Sequence, residues 1–424
     1  MTTPPSLTST LADAIRGAIA GAGGWIGFDR FMALALYTPG LGYYASSSRK
    51  FGLMPGSGSD FVTAPELSPR FGQALGRQVA QALQATGTAE VWEFGAGSGA
   101  LAEQLLQVLG PQLRRYTIVD LSGSLQARQR ERLAPWGDTV HWVSELPAQM
   151  QGVVVGNEVL DAMPVQLLAR VDGVWHERGV VMAPTLVASR TALPPEGTEL
   201  ARGGPSLRSS APTLSTSSDA LPPEGGRVSL GAARRETQDD AFLYADQLTA
   251  LRPPLEVAGS HDYLTEIHPQ AEGFVRTLAD RLQAGAVFLL DYGFPEREYY
   301  HPQRSMGTVM CHRGHLADAD ALQDVGEKDI TAHVNFSGIA LAGQEAGFQV
   351  LGYTSQARFL LNCGLLDGME DAPLAERAMV QKLVNEHEMG ELFKVIAFAV
   401  DSKACPWGGW QAIGFGQGDR SHTL

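Results

Sequence analysis

Three groups of residues in this chain have the types and the spacing to do chemistry. In QGVVVGNEVLDAMPVQLL (Gln151–Leu168) an apolar run leads directly into Asn157, Glu158 and Asp161. Two carboxylates three residues apart can converge on one cationic group, accepting its hydrogen bonds and fixing its direction. A guanidinium suits such a pair, because its planar donors match two carboxylates. The plainer account makes Asn157 and Glu158 helix caps and Asp161 a solvated acid, but Met163-Pro164 follow and no long helical pattern does. In DITAHVNFSG (Asp329–Gly338), His333 stands among apolar residues with Asp329 and Asn335 nearby. A histidine so placed is more often a hydrogen-bonded core residue than a catalytic one.

The third group is AEVWEFGAGSG (Ala89–Gly99), a short apolar strand with Glu93 near its end, then Gly95, Gly97 and Gly99 at every second position. Such glycines let the backbone turn sharply and let a ligand lie against it above a helix start. The following run, Ala100–Leu109, carries leucines at helical spacing, so strand, turn and helix come in the required order. An acid just ahead of the first glycine repels a phosphate and welcomes a cation. S-adenosylmethionine carries a sulfonium and an ammonium and no phosphate, so the loop reads first as a methyl-donor site. A dinucleotide loop and a bare structural turn are the alternatives, since Gly95, Gly97 and Ala100 also meet the looser dinucleotide pattern. A second strand, RRYTIVDLS (Arg114–Ser122), ends in Asp120, about 20 residues on, where a carboxylate can accept both ribose hydroxyls of an adenosyl group. A third, TVHWVSELP, brings Glu145 toward the place of an adenine amino group.

The elements that must position these residues follow from patterning. Apolar strand runs at Ala89–Phe94, Arg114–Asp120, Thr139–Pro147, Gln151–Asn157, Ala284–Gly293 and two near the C-terminus alternate with helical patterns. They predict a doubly wound, mostly parallel α/β sheet of about six or seven strands, with ligands at the carboxyl ends. Helices are expected over Thr265–Gln283 and from Pro69 onward, the latter capped by Ser68. Residues 1–88 read as a helical and irregular segment that lines the substrate site, 89–165 and 269–424 as the core, and 166–268 as an insertion. Within the insertion, 184–240 is rich in Ser, Pro, Gly, Ala and Thr and repeats LPPEG, which predicts a disordered surface loop.

Composition sets the outer bounds. The chain has 424 residues, 44% hydrophobic and 18% charged, with 32 basic against 46 acidic residues and a net charge of −14. Without a basic surplus, generic nucleic-acid or anionic-membrane binding is excluded as an expectation, and a basic protein segment is the more natural partner. Three cysteines without CxxC spacing suggest neither a disulfide framework nor a metal site. No apolar run is long enough to span a membrane, and the N-terminal residues resemble neither a signal nor a transit peptide, so a cytoplasmic setting is expected.

Five motifs in order, DFVTAPELSPRFG, VWEFGAGSGALAEQLL, VVVGNEVLDAMPV, LLDYGFP and RSMGTVMCHRGH with DITAHVNFSG, resemble the MidA-type methyltransferases. The likeness runs from about Ile15 to Val400 except for 184–240. It implies a class I methyltransferase fold, S-adenosylmethionine as donor and an arginine of a protein substrate as acceptor; mitochondrial members of that family are assembly factors of respiratory complex I. By motif position it implies that Glu93, Gly95, Gly97, Gly99 and Asp120 bind the cofactor, with Asn157 beside it. Asn157, Glu158 and Asp161 then face the substrate, and His333 sits near the guanidinium. Self-association as a homodimer is compatible with this reading. Two rival functions remain: a non-catalytic assembly scaffold that keeps the fold, and a nicotinamide-dependent oxidoreductase.

Overall fold

The computed structural model describes residues 7–45, 63–183, 242–400 and 410–424. The low-complexity segment 184–240 and its LPPEG repeats therefore lie outside the described residues.

The central sheet has seven strands along its main path, β1 (Glu90–Phe94), β2 (Arg115–Val119), β3 (Val140–Val143), β4 (Met150–Asn157), β5 (Leu282–Phe294), β6 (Phe348–Ser355) and β7 (Phe393–Val400), and an eighth, Val334–Asn335, paired in parallel with the end of β5. Their order is β6-β7-β5-β4-β1-β2-β3. From β3 to β5 every pairing is parallel, and β7 alone runs against both its neighbours. The doubly wound, mostly parallel sheet expected from the sequence is thus the architecture of the chain. β4 and β5 read as unbroken apolar runs because both faces of the sheet are covered. Phe71, Leu75, Leu101 and Leu105 pack with Val91, Ile118 and Val155 on one face. Val275, Leu278, Phe336 and Ile339 pack with Trp92, Val154 and Leu289 on the other.

The helix Pro69–Thr86 starts as its sequence dictates. Ser68 Oγ accepts the Arg70 N–H (3.3 Å), Pro69 occupies the first turn, and Gly87 closes the helix in the left-handed region. It lies close against Ala100–Leu109, the helix that leaves the glycine loop. Two glycines permit the approach: a Cβ on Gly72 would collide with the Gln104 side chain, and one on Gly76 would come within 2.9 Å of Val108.

One helical expectation is corrected. Thr265–Gln283 does not form a single helix; Tyr263–Ile267 is a strand and the helix is Pro269–Arg281. The proline decides the boundary, since it disfavours the helical region for His268 (φ −118°, ψ 50°) and is itself suited to the first helical position.

The excursion between β4 and β5 builds a second, antiparallel sheet from Gln166–Val171, Val174–Met182, Phe242–Leu248 and Tyr263–Ile267, joined by Ile26–Gly27. Its first hairpin turns on Asp172-Gly173, both at positive φ, the two-residue turn whose twist matches paired strands. A third small sheet comprises Met310–Arg313, Leu316–Asp318 and Asp329–Thr331. Among the described residues no helix is long and apolar enough to cross a membrane.

Replacing Gly72 by alanine tests the helix contact. Alanine favours a helix intrinsically, but here the collision with Gln104 dominates. Urea unfolding is expected to show a net loss of about 1–3 kcal/mol.

Candidate active site

β1, β4 and β5 all end at one edge of the sheet, and the loops that leave them line a cavity of about 1320 Å³. This is where an open α/β sheet binds its ligands.

On the β1 side, Gly95, Gly97 and Gly99 have φ of +66°, +51° and +83°, the left-handed region that glycine enters without cost. Gly95 also needs its bareness for space, since a Cβ there would stand 2.8 Å from Val159 Cγ2. Glu93 is buried, lines the cavity and accepts the Tyr116 hydroxyl (2.6 Å). Burial pushes its carboxyl up to about 8, against the opposing effect of the Tyr116 hydrogen bond. Asp120, just beyond β2, takes the Ser122 N–H on one oxygen and the Gln129 amide on the other, both at 2.8 Å. Each oxygen keeps a lone pair for a ligand. The same Gln129 amide donates to Gly97 O (3.0 Å), tying the glycine loop to the acid. From outside, Arg132 donates to Ser98 Oγ (2.6 Å) and pairs with Glu103 and Glu66, and Glu66 itself accepts the Ser98 hydroxyl. Glu145 is exposed and stands off the lining, where Ser144 and Leu146 are found instead.

On the β4 side no helix follows Asn157, so the capping account of Asn157 and Glu158 does not apply. Glu158 is held at φ +54°, a conformation that costs a non-glycine residue of order 1–3 kcal/mol. Asp291, within β5 one residue past the level of Asn157, holds the turn: its Oδ2 accepts the N–H groups of Val159 (3.1 Å), Leu160 (2.8 Å) and Asp161 (3.3 Å). Asn157 Nδ2 donates to Glu158 Oε1 (3.0 Å). Desolvation, then the Asp161 charge, push Glu158 up to about 8, and burial also raises Asp161. Burial and both neighbouring carboxylates raise Asp291, opposed by its backbone donors.

His333 lies between the short strands Asp329–Thr331 and Val334–Asn335, on the wall of the same cavity. Its ring stands edge-on to Tyr292 (centroids 5.1 Å) and tilted against Phe294 (5.2 Å). Burial and the cations Arg304 and Lys394 lower it to about 4, so the imidazole is neutral near pH 7. The neighbouring Ala332 N–H donates to Asp161 O (2.9 Å), which joins the two walls. Asp329 adds a further buried acid to the lining, gripped by the Tyr44 hydroxyl at 2.8 Å to both oxygens. Tyr37 stacks on Tyr44 and donates to Ala162 O (2.8 Å), so the segment ahead of β1 forms one side of the cavity.

Three buried polar atoms of lining residues have no partner: Asn157 Oδ1, Asp161 Oδ1 and His333 Nδ1. The first two are acceptors in want of donors. Among the described residues no group of histidine, cysteine, aspartate and glutamate could hold a metal ion.

Residues 74–354 match the family model described as "Putative S-adenosyl-L-methionine-dependent methyltransferase". The chain belongs to this methyltransferase family. A crystal structure from Burkholderia thailandensis, bound to S-adenosyl-homocysteine, is 43% identical over the whole of both chains with a TM-score of 0.81. A native structure from the same organism is 42% identical, with a TM-score of 0.77, over 100% of this chain and 99% of that one. The mitochondrial protein arginine methyltransferase NDUFAF7 of Danio rerio is 26% identical over 88% of this chain and 83% of its own. Its Homo sapiens counterpart is 24% identical over 87% and 78%. The MidA-type resemblance of the motifs is therefore the family of this methyltransferase, and S-adenosylmethionine is its donor.

Sequence reasoning missed several residues that shape the methyltransferase's cavity. Asp291 had the signal already used for Asp120, an acid at a strand end, but its task as an acceptor of backbone donors depends on the β4 turn. Gln129 lies in a polar helix and gives no signal. Tyr37 and Tyr44 reach the site from a part of the chain with no motif.

The raised acids predict a pH dependence. Glu93 and Glu158 hold their protons to about pH 8 in the folded protein and release them near the ordinary 4.5 when unfolded. The folded state therefore binds more protons between these limits, and stability falls as pH rises from about 5 to 8. Thermal melting of the ligand-free protein is expected to drop over that window, and Glu158→Gln to flatten the drop.

Proposed function

We propose that this methyltransferase methylates an arginine side chain of a protein substrate by direct transfer. The observation that carries the reading is the set of acceptors at the end of β4. Asn157 Oδ1 and Asp161 Oδ1 are buried with no donor to satisfy them, beside a Glu158 carboxyl pressed toward its neutral form by burial and then by the Asp161 charge. A guanidinium answers all of this at once, bringing planar donors to the two unsatisfied oxygens and a positive charge to the acids. The names of the curated relatives, protein arginine methyltransferases at about a quarter identity, support the same choice.

In this reading Gly95, Gly97 and Gly99 give the donor a bare backbone to lie against. Asp120 takes its ribose hydroxyls, and Glu93 and Asn157 favour its cationic end. The loop fits such a ligand, since its glycines are at positive φ and Asp120 keeps free lone pairs beside it. When bound, S-adenosylmethionine supplies an activated methyl group. Glu158 and Asp161 hold the guanidinium in line and draw its positive charge away from the attacking nitrogen. Tyr37, Tyr44 and Tyr292 enclose the site and keep water out. One of the two carboxylates, or the neutral imidazole of His333 on the same wall, takes the released proton.

Incubation with methyl-tritiated donor and extract from cells lacking this protein, then acid hydrolysis, is expected to place label in methylarginine. Label in lysine or in base-labile esters would overturn the reading. Glu158→Gln is expected to retain donor binding in calorimetry and lower transfer about 100-fold or more.

A further inference from the structure

Glu266 is fully buried in the second sheet, on the strand Tyr263–Ile267, outside the methyltransferase core. A buried carboxylate is costly unless its lone pairs are filled, and here four donors fill them. Oε1 accepts the N–H groups of Thr308 (2.7 Å) and Val309 (3.2 Å), and Oε2 accepts the hydroxyls of Tyr299 (2.8 Å) and Thr308 (3.0 Å). The segment so gripped runs beside the strand, with Leu264 N–H donating to Ser305 O (2.9 Å) and Leu264 bridged to Met306. Gly307 makes the grip possible, at φ +71°, where an added Cβ would stand 2.6 Å from Glu266 Oε1.

The chain of contacts continues into the cavity. Having donated to Glu266, the Thr308 hydroxyl accepts the His333 backbone N–H (3.1 Å). His333, whose Nδ1 has no partner, is thereby fixed at its main chain, while Tyr292 and Phe294 fix its ring. We propose that Glu266 is a positioning residue, acting through Thr308 to set His333 and the Met306–Val309 wall against the substrate. Its effect on transfer rests on the arginine reading above; its effect on His333 does not. The excursion between β4 and β5 then has a task in the reaction, as the frame of the substrate wall.

The test is proton–carbon NMR of ring-labelled histidine in the full chain, which has 10 histidines. The His333 signal is assigned by its loss in His333→Asn. Glu266→Gln reverses the donor sense at Thr308, and Thr308→Val removes the hydroxyl; both are expected to move the His333 resonance. Histidines outside the network, such as His141 and His422, are expected to stay in place, as is donor affinity by calorimetry. Thr308→Ser, which keeps the hydroxyl, is expected to restore the wild-type His333 signal. Transfer into protein is expected to fall by about 100-fold in Glu266→Gln, the scale of a displacement of roughly 1 Å at the reacting centre. An unmoved His333 signal in both Glu266→Gln and Thr308→Val, or Thr308→Ser shifting it as far as Thr308→Val, overturns the proposal. Should Glu266→Gln fail to fold, the two Thr308 variants decide alone. Label outside arginine refutes the substrate reading and leaves the His333 result to stand by itself.

Discussion

The site depends on one carboxylate that touches no ligand. Asp291 gathers the N–H groups of three successive residues, Val159 to Asp161, and so dictates a turn that their own sequence would not choose. Without it Glu158 has no reason to remain at positive φ, and the relation between Glu158 and Asp161 is lost with the turn. Since β4 and β5 are parallel neighbours and β5 runs on past Asn157, an acid on β5 reaches the backbone leaving β4. The sheet thus supplies both the platform and the clamp. The unfavourable crowding of Asp291, Asp161 and Glu158 is opposed by the backbone donors that Asp291 gathers.

The cavity is assembled from regions with separate histories in the chain. The β1 loop and Asp120 form one side, within the core, with Gln129 bracing them from behind. Tyr37 and Tyr44 come from ahead of the core, and Thr308, Asp329 and His333 come from behind the excursion. Few contacts join the sides, but they are direct: Ala332 N–H to Asp161 O, Tyr44 to Asp329, and Ser98 to Glu66. Such an arrangement builds one cavity from parts of the chain that are far apart in sequence.

Much of the core was legible because its signals are local. The strand Glu90–Phe94, its glycines and the helix Ala100–Leu109 are written in adjacent residues, each element agreeing with the next. The carboxylates of β4 were legible as strand-end acids for the same reason. The second sheet was not, because its pairings join distant residues, as when Ile26 meets Val180, and neither partner advertises the other. Thr265–Ile267 sits in an amphipathic run that predicts a helix, but pairing with Gln166–Leu168 and the proline at 269 overrule the run. Glu266, in that misread stretch, became interpretable only once its four donors were in view.

The length of β5 carries a consequence of its own. Leu290 is level with Asn157 on β4, and three residues later Gly293 is level with Val334, where the wall bearing His333 begins. At about 3.3 Å per residue, the strand spaces the two halves of the site by roughly 10 Å. It acts as a ruler whose graduations also alternate in face. Adding or deleting one residue between Leu290 and Gly293 would shift the wall by a single graduation and turn Asp291 and Tyr292 to opposite sides of the sheet. The LLDYGF segment is therefore held to its count of residues as strictly as to the Asp291 carboxylate within it.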